Sequence, residues 1–309
     1  MKKSLLFFYL SITVLVYFPA FALAQSDPEK QNLHGNVQSV KEVIFLVQEE
    51  ADKSITKTGK SASVSYEFNQ SGNLIYWADF YQDGMISWYY TIEYDSVKNQ
   101  KIQTYRMNEN FQLACTVFQY DDAGNESYWY HKDPGDMPVF MWRNFYTKKG
   151  YRIRSESFNG SDTLKPQSAY VYKNDKKGKR ISEHSYSLNG TCTKIVRTHY
   201  SKKDHTVVVA EYTGDEKIKN KLILVYNEKN QLLEKWFYEP SAILSWHIAY
   251  SYDDFGNQTA IKNYDSADSL ISVKTYQYTY DEQNNWIRRL ERNNDVLEKS
   301  AERELIYFE

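Results

Sequence analysis

The groups best able to do chemistry in this 309-residue chain are six histidines, two cysteines and forty acids. His34, His131, His184, His199, His205 and His247 never stand two or four residues apart. No strand or helix therefore presents two imidazoles to one metal. His199 and His205 are six apart across a turn, with no Cys or Asp at ligand spacing, and are expected to be ordinary strand or surface residues. Asp121-Asp122 and Asp253-Asp254 lack the ligand spacing of a calcium loop, and a turn role accounts for them. The acids are spread too evenly to single out a general acid and base. There is no G-x-S-x-G and no phosphate loop. The expectation is a chain that is not an enzyme and has no metal or cofactor.

Aromatic side chains carry the stronger signal. Tyr128-Trp129-Tyr130-His131 is followed by Met137, Phe140, Met141 and Trp142, and similar triplets occur at Trp88-Tyr89-Tyr90 and Trp236-Phe237-Tyr238. In a strand the middle residue of a triplet points away from its neighbours. Each triplet thus puts an aromatic on a face that is elsewhere polar. Trp88, Tyr89, Trp129, Trp142, Trp236 and Phe237 are the candidate ligand-binding residues, as a platform for sugar rings or a partner protein. The competing reading is burial on both faces where the sheet rolls over.

The elements that position these residues repeat. An aromatic precedes a polar turn at Phe68, Tyr94, Tyr120, Tyr146, Tyr172, Tyr200, Tyr226, Tyr252 and Tyr280, in steps of 26 or 28 residues. A tenth anchor falls at Tyr307 or Phe308. A fixed period means a repeat architecture. After each anchor, Asp or Asn can bond the backbone ahead of it. Gly72, Gly124, Gly150, Gly178 and Gly256 hold or adjoin the position that a short hairpin loop sets at positive φ. A second turn per unit is marked by Asp83-Gly84, Asn159-Gly160, Asn189-Gly190 and Asn294-Asp295. One unit is therefore two strands of seven to nine residues and two turns, and about ten units follow one another. The strands alternate: Tyr276, Tyr278 and Tyr280 share a face and Thr275, Gln277 and Thr279 the other, as in an antiparallel meander.

The first residues read as an address. Lys2 and Lys3 precede an apolar run that ends at Ala22-Leu23-Ala24, so residues 1–24 are expected to be a cleaved signal peptide and 25–309 a single β-hairpin repeat domain. No second apolar run is long enough to span a bilayer, so no membrane span is expected after removal of the signal. The signal takes two lysines and no acid with it, and net charge moves from −2 to −4. That balance does not favour nucleic acid, which needs a basic face. Lys173 to Arg180 and Lys217 to Lys221 are locally basic, near turns, and read as solvated charge. The 28 Tyr, 15 Phe and 7 Trp favour pleated, half-buried surfaces.

About twenty strands cannot stay flat, since open twisted sheets rarely exceed about ten. The expectation is an all-β protein of antiparallel β-hairpin repeats of about 26 residues, forming a long coiled or rolled β-sheet with the aromatic face inward; a closed barrel is the alternative, and it needs a matched register that the sequence does not supply. Cys115 and Cys192 would then be about six strands apart, roughly 29 Å at ~4.8 Å per strand, too far for a disulfide. Four Asp-Ser/Thr-apolar triplets, at Asp95, Asp162, Asp265 and Asp268, are similar to the O-glycosylation motif of Bacteroidetes-type bacteria. Asn125, Asn159, Asn189 and Asn257 head N-x-[ST] sequons.

The motifs Tyr120-Asp121…Gly124-Asn125 and Tyr252-Asp253…Gly256-Asn257 resemble the YD-repeat family, also called rearrangement-hotspot (RHS) repeats. Tyr94-Asp95 and Tyr280-Asp281 keep half of the signature. The resemblance covers nearly all of the chain from Leu33 onward, although the family's unit is shorter and often has Arg where Asn125 and Asn257 stand. Leu33-x-Gly35-x-Val37 and the closing Trp286…Arg303…Ile306-Tyr307 are similar to small secreted Bacteroidetes-type repeat proteins. Large family members are shells around a C-terminal effector. Here the chain ends inside a repeat, and no effector is expected. The resemblance implies an exported β scaffold of the cell envelope or its surroundings that binds glycan or an envelope protein. Two alternatives stand beside that reading: a structural or toxin-associated scaffold, and an enzyme with a site on the concave face.

Overall fold

A computed structural model describes residues 32–108, 112–160 and 165–309. The expected signal segment and the Asp162 triplet lie outside them. Twenty strands are present among the described residues. The first five are β1 (Val37–Glu49), β2 (Ile55–Phe68), β3 (Leu74–Phe80), β4 (Ile86–Tyr94) and β5 (Lys101–Met107). Then come β6 (Gln112–Tyr120), β7 (Glu126–Lys132), β8 (Pro138–Tyr146), β9 (Arg152–Asn159) and β10 (Ser168–Asn174). The third five are β11 (Arg180–Ser187), β12 (Cys192–Ser201), β13 (Thr206–Thr213), β14 (Ile218–Tyr226) and β15 (Leu232–Tyr238). The last are β16 (Leu244–Tyr252), β17 (Gln258–Tyr264), β18 (Leu270–Tyr280), β19 (Trp286–Asn293) and β20 (Val296–Tyr307).

Local chemistry sets each reversal. The Asp121 carboxylate accepts from the backbone N–H groups of Ala123 (3.0 Å) and Asn125 (2.8 Å), and Gly124 takes φ +81°. Asp253 and Asp281 accept from the same two positions of their own turns. Where glycine is missing, Asn99, Asn230 and Asn284 take the positive φ, as short polar residues can. The anchor tyrosines then tie turn to sheet. The hydroxyls of Tyr94, Tyr120, Tyr146, Tyr200 and Tyr252 donate to the backbone oxygens of Leu74, Lys101, Glu126, Arg180 and Leu232, each 19 or 20 residues back, at 2.8–3.1 Å. In β18 this role falls to Tyr278, which donates to Gln258 O at 2.8 Å. Tyr278 lies 26 residues after Tyr252, so the 28-residue step to Tyr280 disappears once geometry defines the anchor. Tyr280 instead donates to Asp253 of the preceding turn.

The sheet is not the long coiled or rolled open sheet expected from the repeat count. Strand β1 pairs antiparallel with β20, from Val37↔Tyr307 to Leu46↔Lys299, and every other strand pairs with its sequence neighbours. The result is a closed twenty-stranded antiparallel barrel. Closure removes two rows of unpaired backbone groups that open edges would expose, and the seam has matched chemistry. Arg303 on β20 donates to Glu42 on β1 at 2.9 Å. Phe308 N–H donates to Asn36 O at 2.9 Å just beyond the paired strands. At ~4.8 Å per strand and the usual barrel tilt, the ring is on the order of 40 Å across between backbones.

Closing a sheet crowds its concave side chains and spreads its convex ones. Tyr276, Tyr278 and Tyr280 are half-buried, whereas Gln277 and Thr279 between them are exposed. The same contrast separates Tyr172 from Val171 and Lys173, and Thr198 and Tyr200 from Arg197 and His199. The anchor face is therefore the concave one. The convex face carries exposed Lys41, Arg154, Arg197 and Lys262 within its strands. A lipid-facing Lys or Arg costs about 2–4 kcal/mol at the bilayer midplane. Most strands also have seven to nine residues, at or below the ~9–11 that a spanning strand needs. No described helix is long and apolar enough to cross a membrane.

Candidate functional site

A shallow groove of about 750 Å³ on the convex face follows β7 between β6 and β8. Tyr128 and Tyr130 are two apart in β7 and so share its face. Register adds the rest: Tyr128 lies opposite Gln119 of β6 and Arg143 of β8, and Tyr130 opposite Met141. Lys132, Pro138 and Phe145 complete the wall. The two tyrosine rings are 5.6 Å apart at 49°, and the Tyr128 hydroxyl donates to Met141 Sδ at 3.0 Å. Burial pushes the Tyr128 phenol up, with Arg143 acting against that shift.

The cations of the groove differ in commitment. Lys132 donates to Asp136 at 2.7 Å, which holds its ammonium above the ordinary range. Arg143 lies over the Phe158 ring at 5.4 Å and stands opposite Glu156 of β9, whose carboxylate is held by Arg154 at 2.8 Å. Ring faces, an amide and a guanidinium suit a sugar ring with hydroxyl or carboxylate substituents. No nucleophile and base face each other here. Cys115, opposite Lys132, is buried and its thiol is pushed up by desolvation.

The sequence candidates are distributed around the ring. Trp129 and Trp142 meet at 6.1 Å on the concave face, and Trp142 continues to Tyr170 at 5.2 Å. Trp88 is also concave, but three strands away against Trp77 at 5.0 Å. Tyr89 is convex, beside Tyr76 at 5.7 Å. Phe237 stacks on Trp246 at 5.2 Å on the concave side. Trp236, on the convex side, stacks on His247 at 3.6 Å, and His247 on Tyr264 at 4.7 Å. The three triplets do not form one platform. Gln119, Lys132 and Arg143 were not singled out in the sequence, because only the cross-strand register brings them to Tyr128 and Tyr130.

His199 and His205 do not come together with other ligands, and no group of three or more His, Cys, Asp or Glu among the described residues could hold a metal. His131 is bonded to Thr116 at 2.5 Å on the concave face, and burial lowers its pKa. Cys115 on β6 and Cys192 on β12 are free thiols.

No protein family and no curated protein matches the chain by sequence. Solved structures do. A porin-like protein from Bacteroides uniformis ATCC 8492 is 10% identical at TM-score 0.37, over 87% of this chain and 96% of its own. A porin-like protein from Bacteroides vulgatus ATCC 8482 is 14% identical at TM-score 0.29, over 88% and 98%. The toxin complex TcdB2-TccC3-Cdc42 is 13% identical at TM-score 0.29, over 79% of this chain and 16% of the toxin chain. At these scores none of the three assigns a role, and the barrel rests on its own strand register.

Proposed function

We propose that this chain is a non-enzymatic binding protein of an exported, aqueous compartment of the cell envelope, and that it takes saccharide in the convex groove along β7. The observation that carries this reading is the pairing of Tyr128 and Tyr130 with Arg143, a guanidinium whose cross-strand neighbour Glu156 is bonded to Arg154 instead. The two tyrosine rings supply aromatic area, and Arg143 supplies a directional fork for a carboxylate or a pair of hydroxyls. A scaffold that grows by strand addition is disfavoured, because every strand of the closed barrel is already paired on both sides.

The test is a glycan array probed with the wild type, Tyr130→Ala, Arg143→Gln and Trp236→Ala. Tyr130→Ala should weaken retention at least about tenfold, the loss of one good aromatic contact. Arg143→Gln should weaken acidic sugars more than neutral ones. Trp236→Ala, far around the ring, should bind as the wild type does. Equal retention by Tyr130→Ala and the wild type would sink the groove assignment. An array without any retained glycan would sink the saccharide reading.

A further inference from the structure

Charge is not spread evenly round the barrel. Residues 126–205, which span β7 to β12, hold sixteen Lys and Arg against eight Asp and Glu, whereas residues 206–309 hold twelve against eighteen. The excess concentrates on one rim. Three consecutive turns there carry an exposed lysine pair each: Lys148-Lys149 after β8, Lys176-Lys177 after β10 and Lys202-Lys203 after β12. None of the six is in an ion pair among the described residues.

The acids of these turns are already occupied. Asp175 accepts from the backbone N–H groups of Lys177 and Lys179 at 2.8 and 2.9 Å, and Asp204 accepts from Ser201 Oγ at 2.5 Å. After β8 the turn opens with Thr147 instead of an acid, and its hydroxyl takes the N–H groups of Lys149 and Tyr151. The turn keeps its geometry and loses its negative charge. Elsewhere on the same rim, the turns after β6, β16 and β18 carry Asp121-Asp122, Asp253-Asp254 and Asp281-Glu282.

We propose that this basic arc docks the barrel, rim first, on an anionic bilayer surface. All six cations are lysines, which act as hydrated point charges and lack the fork that selects a single carboxylate or phosphate. Successive turns on one rim are two strands apart, so the three pairs span an arc of roughly 20 Å. A flat, diffuse negative surface meets all three tips together, whereas a polyanion strand needs a groove. The groove along β7 lies on the side of the barrel, and a second concavity is lined by Leu188 and Gly190 of the opposite rim. Each lysine near an anionic leaflet contributes on the order of a fivefold gain in partitioning, and salt screens it within a Debye length.

The test is co-sedimentation of the full barrel with vesicles of equal parts phosphatidylglycerol and phosphatidylcholine, and with phosphatidylcholine alone. A variant with K176S, K177S, K202S and K203S is compared with D254S from the acidic arc. Both sets are exposed turn positions, and melting curves confirm that the variants fold. The expected result is binding to the anionic vesicles alone, loss of at least ~100-fold in the lysine variant by the increments above, retention in D254S, and release at high salt. Failure of the wild type to bind the anionic vesicles would overturn the proposal. So would undiminished binding by the lysine variant. Preferential capture by soluble polyphosphate over the vesicles would overturn the membrane assignment in favour of a polyanion.

Discussion

The anchor tyrosines are the residues on which the repeat turns, and their worth is measurable. Tyr120 donates to Lys101 O at 2.9 Å, and its phenol is pushed up to about 12, burial being the largest cause. Tyr120→Phe removes the donor and leaves the Lys101 oxygen to find another partner, a loss of about 1 kcal/mol that a chemical-denaturation curve reads directly. Tyr226 and Tyr278 are also raised to about 12. A pKa raised above its ordinary value near 10 gives stability that is whole below pH 10 and is lost as pH rises through the folded value. Unfolding free energy should therefore fall steeply between about pH 10 and 12. A titration that shows all tyrosines ionising together near pH 10 would contradict this. Glycine has an equally local signature. A Cβ on Gly214 would stand 1.8 Å from Cys192 O, whereas one on Gly59 would meet nothing within 4 Å. Gly214→Ala should cost well over ~1 kcal/mol and Gly59→Ala little or nothing, as paired thermal melts would show.

Among the elements, the seam between β1 and β20 has the strongest individual chemistry. Glu42, 7% exposed, faces Arg303 at 2.9 Å and Arg289 at 3.7 Å, and Arg303 lies 3.6 Å over the Trp286 ring. Taking one partner from such a buried group strands the other charge, at a cost of about 3–5 kcal/mol. Glu42→Gln should therefore release the amide protons of β1 and β20 to solvent exchange before those of β12 to β14. Uniform loss of protection around the ring would count against a weakened seam. The elements themselves were legible in the sequence, because Asp121, Gly124 and their equivalents act within five residues of chain. Closure was not legible: Glu42 and Arg303 are 261 residues apart, and no local pattern states that their strands share a register. The groove was hidden for the same reason. Tyr128 and Tyr130 were visible as part of an aromatic cluster, but Arg143 joins them only through the β7–β8 pairing. Alternation puts Trp236 and Phe237 on opposite faces, as the sequence implied, but the separation of the three triplets around the ring follows from strand order.

For the whole molecule, closure changes what the ends of the chain mean. In an open spiral the first and last units lie far apart and each exposes an edge. In this barrel Phe308 is bonded to Asn36, and Asn32 reaches across two turns to Asn257 at 2.7 Å, beside the His34 contact with Asn285. The N-terminal entry is thus fastened over the turns after β16 and β18, on the rim where β20 ends. A ring with adjoining ends tolerates being cut elsewhere. Asn189-Gly190, an exposed turn after β11 on the other rim, is a suitable place for the cut. A circular permutant that joins Glu309 to Asn32 through a short Gly-Ser linker and begins at Gly190 should fold to a monomer with the parent's far-ultraviolet circular dichroism. Each native strand pair is kept, including β1 with β20, and only one hairpin loop is opened. The permutant should melt in a single transition a few degrees below the parent at most. Deleting residues 296–309 is the informative contrast, since it removes β20 and leaves β1 and β19 as long unpaired edges, which should drive self-association. A permutant that aggregates while the deletion stays monomeric would mean that the seam does not hold in solution.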